Sequence, residues 1–553
     1  MPSPPVAPTV PAAAPVADSR FLHSARTVTV LTMVSRVLGL LRDQLTAWLL
    51  GAGAVSDALT WAWTVPNAFR RLFGEGALSS ALVPVFSRVL EREGRPRARA
   101  VANQVISWLA VCLLLLSLGL AALVALLPAE AAARWLDMDP AKARLTLQYT
   151  EMLLPYLAFI CVIAQFMAVM NALGEFAIPA SASVILNLVW VGGVLIAWLV
   201  FGAARADGAG PDPRPAQGFL IAGAILVSGV LQFLWHLPGL SRLDVGFRFV
   251  PPRRSVELSE VLSLMLPMLV GMGAAQLNVL ADRTIALAFL GDGGTTHLYY
   301  GLRLMQFPQG LVSAALVAAV FPTLARLSAR GEAGAAAATT GLALRVNTLL
   351  TLPAAAGLIV LSRPIVELLL QHGEFRAANS GPTAAALVGY SLGIPAAGAV
   401  MVLTRAFYAV GDMRTPVRIG LWTVALNVAL DLLLVGPLAE LGLALATSVT
   451  SIVAVVLLVL AFRARMELPP GHGLLSGLLP AVLLTVLMGA VVFAIDALLA
   501  AQLPATLLGS DTLVVGLRVL LGIGAGGALY LGLARRLCPA EWQAVAPLLR
   551  RRR

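Results

Sequence analysis

An all-α polytopic membrane protein is the fold class that this sequence predicts, on three observations. Of 553 residues, 59% are hydrophobic and 12% are charged, about half the charge of an ordinary soluble chain, so a water-facing surface cannot be assembled from them. The mean hydropathy is +0.87. The apolar residues fall into repeated stretches of roughly 18 to 30, each long enough to cross a ~30 Å hydrocarbon layer as a helix, and only helices and closed barrels satisfy their backbone in lipid.

Window hydropathy places about fourteen transmembrane helices. They lie near 25–49, 56–88, 101–128, 146–172, 180–202, 217–239, 258–290, 295–325, 341–361, 382–411, 415–437, 440–462, 474–500 and 513–535. The second and eighth exceed one crossing, so tilt, a kink or extension beyond the bilayer is expected. Residues 1–24 are rich in Pro and Ala at their start and have no basic or apolar signal region, which predicts a disordered tail and no cleaved leader. Cys112, Cys161 and Cys538 have no paired spacing, and neither a disulfide nor a zinc site is expected.

Arginine sets the orientation. One set of alternate loops carries Arg20 and Arg26, Arg88 to Arg99, Arg242 to Arg254, Arg326 and Arg330, Arg414 and Arg418, Arg463 and Arg465, and the tail from Arg535. That set is cytoplasmic by the positive-inside rule, which puts both termini inside. Arg134, Lys142, Arg144, Arg205 and Arg214 are exceptions on the opposite side. The longest loops hold about twenty residues, too few for a folded soluble domain. The basic end RRRR fits topology or contact with anionic lipid heads, and no nucleic-acid partner is expected.

Charge inside the spans is the functional signal, since an Arg or Asp at mid-membrane costs about 2.5 to 3.5 kcal/mol. The first span holds Arg36, Arg42 and Asp43; the second holds Arg70, Arg71 and Glu75; the eighth holds Arg303. At 100° per residue Arg36 and Asp43 share a helical face about 10 Å apart, and Arg71 and Glu75 stand four apart, so each pair can compensate. Internal ion pairs and snorkelling account for single residues. The five arginines nevertheless outnumber the two acids, which favours a polar cavity that takes an anion, and the guanidinium fork suits a pyrophosphate. Asp57, shortly after a Gly-Ala-Val-Ser run, fits a helix N-cap better than a ligand.

A second group lies in the carboxy half. Asp282, Asn427, Asp431 and Thr447 offer hard oxygen ligands for an alkali cation such as Na+; interhelical hydrogen bonding with one carboxyl protonated is the alternative. Asp496 and Arg518 are expected to pair or to reach an interface. The five histidines have no metal spacing, and GIGAGG at 522–527 fits close helix packing. No catalytic set stands out.

Several segments closely resemble a known family. SRVLGLLRD, VPNAFRRLFGEGALSSALVPVFS, YYGLRLMQFPQGLVSAALVAAVFPTLARLS, LLLQHGEF and RAFYAVGDMRTPVRI occur in order within residues 25–537 and resemble signature segments of the MurJ (MviN) lipid II flippases of the MOP exporter superfamily. The resemblance implies two pseudo-symmetric six-helix lobes, 25–239 and 240–464, about a central cavity. It also implies a two-helix groove for a polyprenyl tail over 465–537 and a basic tail over 538–553. Arg36, Arg42, Arg70 and Arg303 match the family's cavity arginines, with Asp43, Asp57 and Glu75 as acidic neighbours. Asp282, Asn427, Asp431 and Thr447 match a sodium site found in some members. Acidic residues that some members carry beside the eighth-span arginine are replaced by Leu302 and Gln306, so Arg303 is expected to be less neutralised.

The implied protein is not an enzyme and has no resident cofactor. It is a monomer of the bacterial cytoplasmic (inner) membrane that flips lipid II by alternating access, coupled to Na+ or to the potential, among membrane lipids and cell-wall synthesis machinery. A flippase for another polyprenyl-pyrophosphate glycan shares the same physics. A drug-cation antiporter would want an acidic or aromatic cavity, a glycosyltransferase a surface carboxylate pair, and a scaffold a soluble module.

Overall fold

The computed structural model describes residues 19–74, 77–202, 211–465, 478–504 and 511–549; the first eighteen residues, Glu75, Arg205 and the terminal arginines from 550 on lie outside them. Every regular element among the described residues is helical. With so few charges to keep a sheet edge solvated, the chain satisfies each backbone within its own helix.

In order these are α1 (Ser19–Leu50), α2 (Ala54–Phe69), a π-helical turn (Arg70–Gly74), α3 (Ala77–Leu126), α4 (Ala129–Leu136), α5 (Pro140–Ala172), α6 (Ala177–Phe201) and α7 (Arg214–Arg242). There follow α8 (Val256–Phe289), α9 (Gly294–Ala329), α10 (Ala333–Val360), α11 (Ser362–Leu370), α12 (Ala377–Ser391), α13 (Ile394–Ala409), α14 (Arg414–Arg465), α15 (Leu478–Gln502), α16 (Asp511–Leu537) and α17 (Pro539–Leu549).

Nine helical runs among the described residues are long and apolar enough to cross a membrane, and three of them are composites, one being α12 with α13 over Ala377–Ala409. Ala54–Leu126 holds 73 residues and would measure about 110 Å if straight; its helix breaks at Gly94, with φ 79°. The 52-residue α14 breaks at Ala439, with φ 48°, and reverses there, since a Cβ on Gly442 would lie 2.3 Å from the carbonyl of Leu434. The helices α1, α8 and α9, at 32, 34 and 36 residues, coincide with the expected first, seventh and eighth spans. They are absent from the nine and carry Arg36, Arg42 and Asp43, Asp282 and Arg283, and Arg303. The short helices α4, α11 and α17 fall outside every expected span.

The first lobe packs α1 to α7, with α5 against α2, α3 and α7, around Tyr149, Tyr156, Phe86 and Phe166. The second packs α9, α10, α12, α13 and α14. Helix α8 leans on both α3 and α14. Arginines on either side of the Gly94 break in α3 hold it there, through Arg88 with Glu260 and Arg97 with Glu257. The bases that break the positive-inside pattern are largely neutralised locally: Lys142 by Asp57, Arg144 by Glu130 and Arg214 by Asp212.

The pair α15 and α16 packs on α10 and α11. Gly522 and Gly526 provide the close approach expected of GIGAGG, for a Cβ on Gly526 would stand 2.6 Å from Val492. Arg518 and Asp496 join the two helices through a fork of 2.9 and 3.0 Å, both side chains less than a fifth exposed. Removing one partner leaves a charge stranded in lipid, whereas removing both does not. Asp496→Ala is therefore expected to lower thermal stability by about 2 kcal/mol or more, and Asp496→Leu with Arg518→Leu to recover most of it. Additive losses in a melting assay would show that the pair carries no coupling.

Candidate functional site

A cavity of about 720 Å3 lies between the lobes. Its walls come from α1 (Ser35, Arg36, Arg42), α2 and the π turn (Asn67, Arg70, Arg71), α6 (Asn187), α8 (Asp282, Arg283), α9 (Tyr299, Arg303, Gln306) and α14 (Thr447). Six arginines thus face it with one lining carboxylate, Asp282. Pro66 within α2 and the π turn after it shift the helical register where Arg70 and Arg71 point inward; such bulges favour functional sites.

The arginines differ in how far they are already engaged. Arg42 is 5% exposed; it donates to Asp43 Oδ1 from Nη2 and Nε at 2.7 and 3.0 Å and to Asn187 Oδ1 at 3.1 Å. Its guanidinium also sits 4.5 Å from the centre of the Trp190 ring. Asp43 accepts in addition from Arg303 Nε at 2.9 Å and from the Tyr299 hydroxyl at 3.2 Å. One carboxylate of the first lobe therefore holds a base from each lobe. Arg70 donates to Asn67 Oδ1 at 3.2 and 3.1 Å. Arg36 is half-buried and makes no hydrogen bond or ion pair with any described residue; it lies along α9 at Gly310, where a Cβ would be 3.4 Å from Nη2.

Two expectations are corrected here. Asp43 compensates its α1 neighbour Arg42 through Oδ1 and Arg303 of α9 through Oδ2, and not Arg36. Arg303 is not left unneutralised by Leu302 and Gln306, since the acid comes from α1. The expected pairing of Arg71 with Glu75 involves a residue outside those described.

The carboxy-half group gathers around Asn427. Its Nδ2 donates to Asp431 Oδ2 at 2.7 Å and to Asp282 Oδ1 at 3.3 Å, and its Oδ1 accepts from Thr450 at 3.1 Å. Asn278 donates to Asp282 Oδ2 at 3.4 Å. Asp431 is fully buried and its Oδ1 has no partner among the described residues. The Thr447 hydroxyl bonds to Leu443 in its own helix while the residue lines the cavity. Two carboxylates, an amide and hydroxyls within one cluster suit an alkali cation, for which the orphan oxygen is a ready ligand; among the described residues no three acidic, His or Cys side chains are grouped so as to hold a metal ion, so a tightly held transition metal is a poorer fit.

Asp57 stands apart from the cavity, at the end where the loops are poor in arginine. It does not cap its own helix: Gly53 begins α2 and donates to Ser56 Oγ at 2.8 Å. Asp57, fully buried, caps α9 of the other lobe instead, accepting from Gly293 N at 2.8 Å, Thr296 N at 2.9 Å and Thr296 Oγ1 at 2.7 Å. Nearby, Glu374 N donates to Trp48 O at 2.9 Å, and Gly373 and Gly51, both at positive φ, let these backbones touch. These contacts close the cavity at that end.

Sequence reasoning missed Arg283, although the same cost rule applied to ADRTIALAFL would have flagged it. Arg283 is 5% exposed, donates to Thr295 O at 3.0 Å and lies 5.9 Å from the centre of the Tyr299 ring. Asn187 and Tyr299 carried no signal of their own, because neutral polar residues are common in membrane helices.

A family model described as Lipid II flippase MurJ matches residues 46–508. A probable lipid II flippase MurJ of Vibrio cholerae is 32% identical over 448 residues, covering 80% of this chain and 82% of that one. The lipid II flippase MurJ of Burkholderia cenocepacia is 31% identical over 452 residues, covering 81% and 84%. Among solved structures, a lipid II flippase MurJ in an inward closed conformation superimposes with TM-score 0.70 over 92% of this chain and 99% of that one, at 23% identity. An inward-facing multidrug resistance MATE family transporter of the MOP superfamily gives 0.63 over 80% and 98%, at 17%. At these identities the structural likeness concerns the fold. Matched over most of its length by the family model and by relatives above 30% identity, the chain belongs to the MurJ family of lipid II flippases.

Proposed function

We propose that this protein flips lipid II across the bacterial inner membrane by alternating access, with its basic ends in the cytoplasm and no chemical step. The observation that carries the reading is the 720 Å3 inter-lobe cavity faced by six arginines and one lining acid, a charge balance that favours a diphosphate and repels the cations a drug antiporter would carry. Arg36, Arg42, Arg70 and Arg303 hold the pyrophosphate, with Arg71 and Arg283 adding to the field. Arg36 meets it first, having no bond to exchange. Arg42 and Arg303 hold Asp43 between them as a preset wall, in which Arg303 is the more exposed of the two bases. The prenyl chain stays in lipid, along the α15 and α16 pair. The lobes then part at the Asp57 end and close at the basic end.

An inside-negative potential favours outward movement of an anion by about 2.3 kcal/mol per charge per 100 mV, and inward movement of a cation equally. Asp282, Asn427, Asp431 and Thr447 are the residues that would hold Na+, whose single charge would balance one of the two carboxylates during the return. The protein acts as a monomer beside the cell-wall synthesis machinery. A flippase for another polyprenyl-pyrophosphate glycan would need the same arginines, and only the family match selects lipid II.

Arg36→Ala and Arg36→Lys are expected to lower lipid II translocation in proteoliposomes by about tenfold or more, the lysine because it loses the fork. Melting temperature should hardly move, as no described bond is lost. Full activity in both variants would overturn the diphosphate site. Imposing an inward sodium gradient is expected to speed turnover of the parent protein and to have no effect in Asp431→Ala; equal rates with and without the gradient in the parent protein would remove sodium from the cycle.

A further inference from the structure

We propose that Lys142 is the positioning residue that sets how firmly the arginine-poor end is shut, by holding Asp57 in place within the first lobe and gripping Asp292 of the second. The chain carries 39 basic residues and only this one is lysine. It lies in the first turn of α5, 3% exposed, with Nζ 2.8 Å from Asp57 Oδ2 and 3.2 Å from Asp292 Oδ1. Asp139 caps α5 through the amides of Ala141 and Lys142 at 2.7 and 3.2 Å, which fixes the base of the lysine stem.

The chemistry explains why this base is a lysine. An ammonium is a compact charge with three donors and can sit between two carboxylates in a tight space, whereas a guanidinium fork is planar and needs a wider gap. Asp57 is wholly buried, and its other donors, the amides of Gly293 and Thr296 and the Thr296 hydroxyl, are neutral. Lys142 is thus the full positive charge that balances it, alongside the partial charge at the start of α9. The Lys142 and Asp57 pair lies within one lobe, while the bonds to Asp292, Gly293 and Thr296 cross to the other. When the lobes part, the crossing bonds break and the neutral pair stays behind. The closed state depends on Lys142 more than the open one, because opening admits water that can solvate Asp57 by itself.

This inference rests on the alternating access proposed above, and its test reads lobe closure directly, without cargo. Thr295 is fully buried beside the latch, and its hydroxyl has no partner among the described residues, so Thr295→Cys loses no hydrogen bond. In a background lacking Cys112, Cys161 and Cys538, the purified protein in detergent is treated with a hydrophilic maleimide. Lys142→Met is expected to raise the labelling rate at position 295 by about tenfold or more. Asp292→Asn removes only the exposed crossing arm, Asp292 being 64% exposed in its side chain, and is expected to raise labelling about threefold with an unchanged melting temperature. Lys142→Arg should fall between Lys142→Met and the parent. Parent-like labelling in both Lys142→Met and Asp292→Asn would overturn the proposal, and Asp292→Asn decides it alone if Lys142→Met does not fold. Faster labelling in the variants beside a parent protein that fails to translocate lipid II would leave this proposal standing and the cargo assignment refuted.

Discussion

A carboxylate inside a membrane protein must find donors within the protein, and here Asp43 and Asp57 find theirs across the boundary between the lobes. Asp43, in α1, takes Arg303 and Tyr299 from α9; Asp57, in α2, takes the amides that open the same helix. Both belong to the first lobe, so α9 is moored to it at two levels by anions that neither lobe could satisfy as well alone. Where these moorings end, the hollow begins. Its position follows from where the donors run out, with Arg36 as the first base beyond Asp43 that no described residue engages.

The hollow also brings opposite charges within one space. The arginine wall belongs mainly to α1, the π turn and α9, and the acid group to α8 and α14, yet Asp282 and Thr447 line the cavity together with Arg36 and Arg70. At an effective dielectric constant near 20, unit charges 8 Å apart still interact by about 2 kcal/mol. Under the proposed cycle, a cation among the acids would strengthen the hold on an anion nearby, and loss of either would weaken the other. Such reciprocity is the least that coupling between an ion and a lipid requires.

Much of the architecture was legible because membrane helices announce themselves by length: the breaks at Gly94 and Ala439 fall between expected spans, and α9 is as overlong as its sequence suggests. The cavity arginines were legible for a related reason, the cost of a charge in an apolar run. What could not be read was partnership. Asp43 and Arg303 are 260 positions apart, and spacing along α1 favoured Arg36 as the partner because only neighbours on one helix can be compared in a sequence. Asp57 looked like a cap, and it is one, for a helix 236 residues downstream. Lys142 appeared as an exception to the positive-inside pattern; buried against Asp57, it contributes no loop charge and obeys a different rule. The short α11 escaped notice since nine residues cannot span a bilayer, although it packs under α16 and its following loop meets Trp48.

The two moorings are mechanically one. Thr296, Tyr299 and Arg303 are spaced by three and four residues along α9 and so lie on a single face, about 10 Å from the first to the last. Thr296 holds Asp57, while Tyr299 and Arg303 hold Asp43. No proline interrupts the helix between them, the nearest being Pro308, so this stretch moves as a rigid rod. Under the proposed cycle, freeing Thr296 at the closed end by moving this rod would also displace Tyr299 and Arg303 from Asp43. The reverse also holds: an anion that draws Arg303 away from Asp43 pulls on the same rod. Under the proposed cycle, occupation of the cavity and release of the far end would thereby be tied through seven residues of one helix, a short route by which a bound diphosphate would favour opening on the opposite side.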